Sequence, residues 1–154
     1  MKKLTPVFIL IFITNLCLGQ NAAPTTDTLC QPAKIYATPD DLYKASWFKN
    51  YPNPDQPPSF PGGKDSLLAF FTRLVQLNGE ETQIVARYHV IVVISCQGKP
   101  CRIELKSKAF PGAQKILDAC QKMPDWKPAQ AKVAPVDCYI RLGFTNRGGT
   151  LEID

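Results

Sequence analysis

The sequence predicts an α+β fold, a three-stranded antiparallel sheet packed against two helices in the order helix, strand, strand, helix, strand. Three observations predict it. Apolar residues recur at helical spacing in two separate segments: Leu67, Leu68, Phe70, Phe71, Leu74 and Val75 in the first, and Ala113, Ile116, Leu117 and Cys120 in the second. The dense β-branched run YHVIVVIS is followed, after a glycine-bearing turn, by the alternating segment CRIELKS. A last alternating segment, PVDCYIRLGF, closes the pattern. Packing one sheet face under two amphipathic helices buries every apolar stripe at once.

Each element has its own warrant. The first helix is expected over Lys64 to Leu77, with Asn78-Gly79 as its stop because glycine adopts positive φ without strain. Val85 to Ser95 is expected as the central strand, since Tyr88, Val90, Val92 and Ile94 share one face while His89, Ile91 and Val93 need cover on the other. Gln97 to Pro100 turns the chain into the second strand, where Ile103 and Leu105 alternate with Arg102, Glu104 and Lys106. The second helix runs from Ala113 to Lys122 and ends at Pro124. In the third strand Cys138, Ile140, Leu142 and Phe144 alternate with Tyr139, Arg141 and Gly143.

The flanking regions differ in composition. MKKLTPVFILIFITNLCLGQ has two lysines, a short apolar run and small residues near Gly19, the layout of a secretory signal peptide over residues 1–19. Its apolar run falls short of the roughly 20 residues that span a membrane. Residues 20–58 form a proline-rich arm in which a short helix from Pro39 to Phe48, capped by Thr38, is the one regular element expected. Leu42, Trp47 and Phe48 imply that this arm docks on the domain. The domain itself is placed at 59–146, with a tail at 147–154 whose TLEI pattern offers a further short strand. The formal net charge of +5 includes Lys2 and Lys3, and the absence of any long basic run argues against nucleic acid as a partner.

Five cysteines follow the leader, and in an exported chain they are disulfide candidates. Cys96 and Cys101 flank the hairpin turn, so a bridge between them is expected, against the rival of a metal or redox site. Cys120 and Cys138 each lie on an apolar face, so the second expected bridge joins helix two to strand three, the rival being two buried thiols. Cys30 is then left over. No metal ligand set, cofactor motif or catalytic constellation is expected: His89, the one histidine, has no nucleophile or orienting group at a meaningful spacing.

Two motifs carry a resemblance. Phe60-Pro61-Gly62-Gly63 ahead of the first helix and Met123-Pro124-Asp125-Trp126-Lys127-Pro128-Ala129 ahead of the last strand, joined by the element order above, resemble the TonB C-terminal domain over about 85 residues. The resemblance implies a periplasmic protein-binding module, not an enzyme. Its partner would be an extended peptide of an outer-membrane or other envelope protein, such as a transporter segment, received along edge strand 138–144 with Tyr139, Arg141 and Gly143 as binding positions. The alternatives are a disulfide-braced structural or inhibitory envelope protein and, with an uncleaved leader, an anchored energy transducer for transmembrane transport. The counter-reading of the edge is that Thr150 to Ile153 folds back over it.

Overall fold

The structure, a computed structural model, describes residues 29–30, 33–39 and 48–154. The leader at 1–19 and most of the short helix expected over 39–48 lie outside the described residues. Strand β1 is Tyr36–Ala37, helix α1 is Gly63–Leu74, and a 3-10 turn occupies Gly79–Gln83. Strands β2 (Val85–Ile94) and β3 (Pro100–Leu105) precede helix α2 (Ala113–Gln121). Four strands complete the chain: β4 (Ala129–Ala131), β5 (Ala134–Val136), β6 (Cys138–Arg147) and β7 (Thr150–Ile153).

The α+β class stands, and the sheet is larger than the three strands expected. The main sheet is mixed and five-stranded: β6 and β3 flank β2 in antiparallel pairing, while β1 (parallel) and β7 (antiparallel) share the other side of β6. β4 and β5 form a separate hairpin. The run expected as one last strand is therefore divided at Asp137, whose side chain is buried and accepts the Cys96 N–H at 2.8 Å.

The core lies between the helices and one sheet face. Phe71 and Ile116 are fully buried against Tyr88, Val90, Val92 and Phe144, and the Phe71 and Phe144 rings meet at 4.7 Å. α1 ends earlier than its apolar stripe implied. Val75 turns extended after its N–H bonds Phe71 O, so Asn78 caps the 3-10 turn instead, in a reciprocal capping box with Glu81. The two family-like motifs meet in space. Phe60 and Trp126 contact edge to face at 5.4 Å, and Ser59 and Lys127 exchange backbone bonds at 3.0 and 2.9 Å.

Candidate functional site

Every second residue of a strand directs its N–H and C=O to the same side, so each sheet edge can be read residue by residue. In β6 the residues facing away from β2 include Tyr139 and Gly143. Tyr139 O accepts the Thr38 N–H at 3.0 Å, and Gly143 O accepts the Asp154 N–H at 3.0 Å. The edge expected to receive a peptide is thus occupied from both ends, by β1 at Cys138 and Tyr139 and by β7 from Phe144 to Arg147. This corrects the assignment of Tyr139, Arg141 and Gly143 as an open binding edge. The physical reason is the tail, whose Leu151 is buried in the core and carries β7 onto β6, together with the arm.

Tyr139, Arg141 and Gly143 lie on the sheet face away from the helices. A Cβ on Gly143 would stand 2.5 Å from Arg141 Nη1 and 2.8 Å from Asp154 Oδ2, so the two charged groups close over a position that only glycine leaves open. Arg141 Nη1 also lies 3.4 Å from His89 Nδ1. Tyr139 stacks on Phe48 at 5.6 Å and meets Tyr51 edge-on at 5.0 Å. Ile91, on the face without helices, is buried beside this arm-derived cover and lines one cavity with Phe48, Tyr51 and Tyr139. The cover also pushes the Tyr139 phenol pKa up, first by burial and then through Tyr51.

The other edge is β3. Lys106 N–H bonds His89 O at 2.8 Å, which fixes the even-numbered residues of β3 toward β2 and turns the N–H and C=O of Ile103 and Leu105 outward. No described strand lies beyond them. Arg102, Glu104 and Lys106 are exposed on the face opposite the helices, where Glu104 pairs with Lys106 at 2.5 Å and Arg102 Nη1 donates to Tyr139 Oη at 3.4 Å. Ile103 and Leu105 point to the helix layer but remain half-buried.

The cysteines pair differently from expectation. The bridge joins Cys30 of the arm to Cys96, their Cα atoms 6.0 Å apart, while Cys101, Cys120 and Cys138 are thiols. Cys96–Cys101 fails because the hairpin closes at Ser95 and Lys99, leaving Cys96 inside the turn, and because the β2–β3 register shifts between Val92 and Ile94. Cys101 instead donates to Val93 O at 3.3 Å. Cys120–Cys138 fails because the two sulfurs belong to different clusters, Cys120 to the main core and Cys138 to a small one with Ala129 and Val136. Burial pushes both of these thiols up to about 12, so they stay protonated and act as small apolar groups. Cys30, Cys96 and Asp137 bring their ligand atoms within 4.8 Å of one another, with the two sulfurs joined in the bridge.

Phe60, Pro61, Gly62, Gly63, Met123, Pro124, Trp126, Lys127 and Pro128 form a structural node. Gly98 of the hairpin tip accepts the Trp126 N–H on its carbonyl at 2.7 Å, and a Cβ there would lie 2.0 Å from Trp126 O. The Trp126 Nε1 is buried with no hydrogen-bond partner among the described residues. Sequence reasoning missed β1 and the role of β3 as the open edge. The signal for β1 was the short β-prone run Ile35 to Thr38 between Pro32 and Pro39, and nothing local separates an edge strand from an inner one. Comparison of the chain with protein-family models, curated proteins and solved structures returns no match.

Proposed function

We propose that this chain is an exported protein-binding module, similar in its two motifs to the TonB C-terminal domain, that takes up an extended polypeptide segment by strand addition along β3. The observation that carries the reading is the outward-facing N–H and C=O of Ile103 and Leu105, with no described strand beyond them. Strand addition needs main-chain groups of this kind and no catalytic chemistry. The resemblance places the partner in the cell envelope, with an outer-membrane transporter segment as one candidate class.

The test is recovery of envelope partners by the oxidised protein and two proline variants. Ile103→Pro removes an outward donor of β3 without touching the β2 ladder, and Arg141→Pro does the same at β6. Loss of recovery with Ile103→Pro alone supports the reading. Loss with Arg141→Pro alone moves binding to β6, and indifference to both removes strand addition altogether. A second reading, a disulfide-braced structural or inhibitory envelope protein, is favoured by the Cys30–Cys96 bridge that ties the arm to the hairpin tip. It predicts that indifference.

A further inference from the structure

We propose that the strand received by β3 is the β3 strand of a second copy of this chain, paired antiparallel about a two-fold axis at Ile103. The inference rests on the reading of β3 as the strand-addition edge and names the partner that fits it.

Self-pairing about a two-fold axis is restrictive, because choosing the central residue fixes every other pair. Centring on Ile103 sets its outward N–H and C=O against those of the second Ile103. Arg102 then stands opposite Glu104 of the other copy, twice, in the non-hydrogen-bonded pairs where side chains approach most closely. The neighbouring registers fail on charge or on strand length. Centring on Arg102 or on Glu104 opposes each residue to itself, and centring on Leu105 sets Glu104 against Lys106 but Arg102 against Lys108, and carries the ladder past the end of β3. Charged side chains on an edge normally discourage addition. Here the same charges exclude the two like-charge registers, and the length of β3 favours Ile103 over Leu105 as the centre.

The apolar side of the strand agrees. Val90 and Val92 of the neighbouring inner strand are fully buried, whereas Ile103 and Leu105 are half-buried, with no described strand on their outer side. A second β3 supplies that neighbour and continues the sheet across the axis.

Sedimentation of the oxidised protein over a concentration series tests this. A shift from the mass of one chain to that of two is expected. Arg102→Glu and Glu104→Arg, each alone, place four like-charged groups around the axis and should weaken association by at least about tenfold. The double variant Arg102→Glu with Glu104→Arg rebuilds complementary pairs and should restore it. Protection of the Ile103 amide from hydrogen exchange should rise with concentration in the wild type. A chain that stays single at the highest concentration, or a folded double variant that stays dissociated, overturns the proposal. If the chain stays single while Ile103→Pro still loses an envelope partner, the second copy is excluded and strand addition survives. If neither association nor partner loss is seen, both fall.

Discussion

Along the outer side of β6, the Thr38 and Asp154 amides fill the carbonyls of Tyr139 and Gly143, and a stack of arm aromatics covers the sheet face beside them. Along the outer side of β3, Ile103 and Leu105 meet no described strand, and three charged side chains line the face. The closed side is built from the arm, remote in sequence, and from β7, which returns on β6 through the turn at Gly148 and Gly149, whereas the open side has only its hairpin partner β2. The difference teaches that an edge is closed here by flanking sequence, so the strand that a domain boundary would leave exposed is the one the flanks protect.

The comparison breaks most severely at the hairpin tip. Gly98 has φ of 85° and no room for a Cβ against the Trp126 carbonyl, so Gly98→Ala combines backbone strain with overpacking. It should cost about 4 kcal/mol and detach the open side from the connector, measured by urea unfolding. On the closed side, Leu151→Ala removes the buried anchor of β7 and should cost about 3 kcal/mol while raising hydrogen exchange at the Thr145 and Arg147 amides. Cys30→Ser, or reduction of the wild type, should cost about 2 kcal/mol and loosen β1 without affecting β3. Cys101→Ser under the same conditions should leave the bridge and the unfolding midpoint nearly unchanged.

A smaller effect than loss of the bridge is one of pH, at the contact between the 3-10 turn and α2. Lys115 Nζ lies 2.5 Å from Glu81 Oε2, and its hydrogen bond, followed by the Asn78 N–H, holds the Glu81 carboxyl below its ordinary value of 4.5. A carboxyl held low in the folded state stabilises above its unfolded value. That contribution is lost as the pH falls through the lower, folded one. Lys115→Met should therefore flatten the acid limb of stability against pH while leaving the two edges as they are, which thermal unfolding across acid buffers will read.

How much of this was legible follows from range. The helices, the β2–β3 hairpin and the α+β class rest on periodicity within single segments, and those survived with boundary shifts at Val75 and Ser95. The disulfide did not, because the Cys96–Cys101 expectation assumed an unbroken register and the ladder slips one residue there. The open edge was misassigned because edge status depends on what the chain ends do, and β1 is two residues long. The two motifs were legible as separate signals, while their meeting at Phe60 and Trp126 was visible only in three dimensions.

The position of β6 also sets a kinetic condition. It holds β2 on one side and β1 on the other, and its contact with the arm joins Thr38 and Tyr139, which are 101 residues apart. Such non-local pairings are costly in loop entropy before they return any stabilisation, and they slow folding. The hairpin and the two helices can form early from near neighbours. Folding of the sheet must then wait for β6 to reach β2, and the arm can dock only after that, so the arm's part of the closed edge is the last part of the molecule to be made.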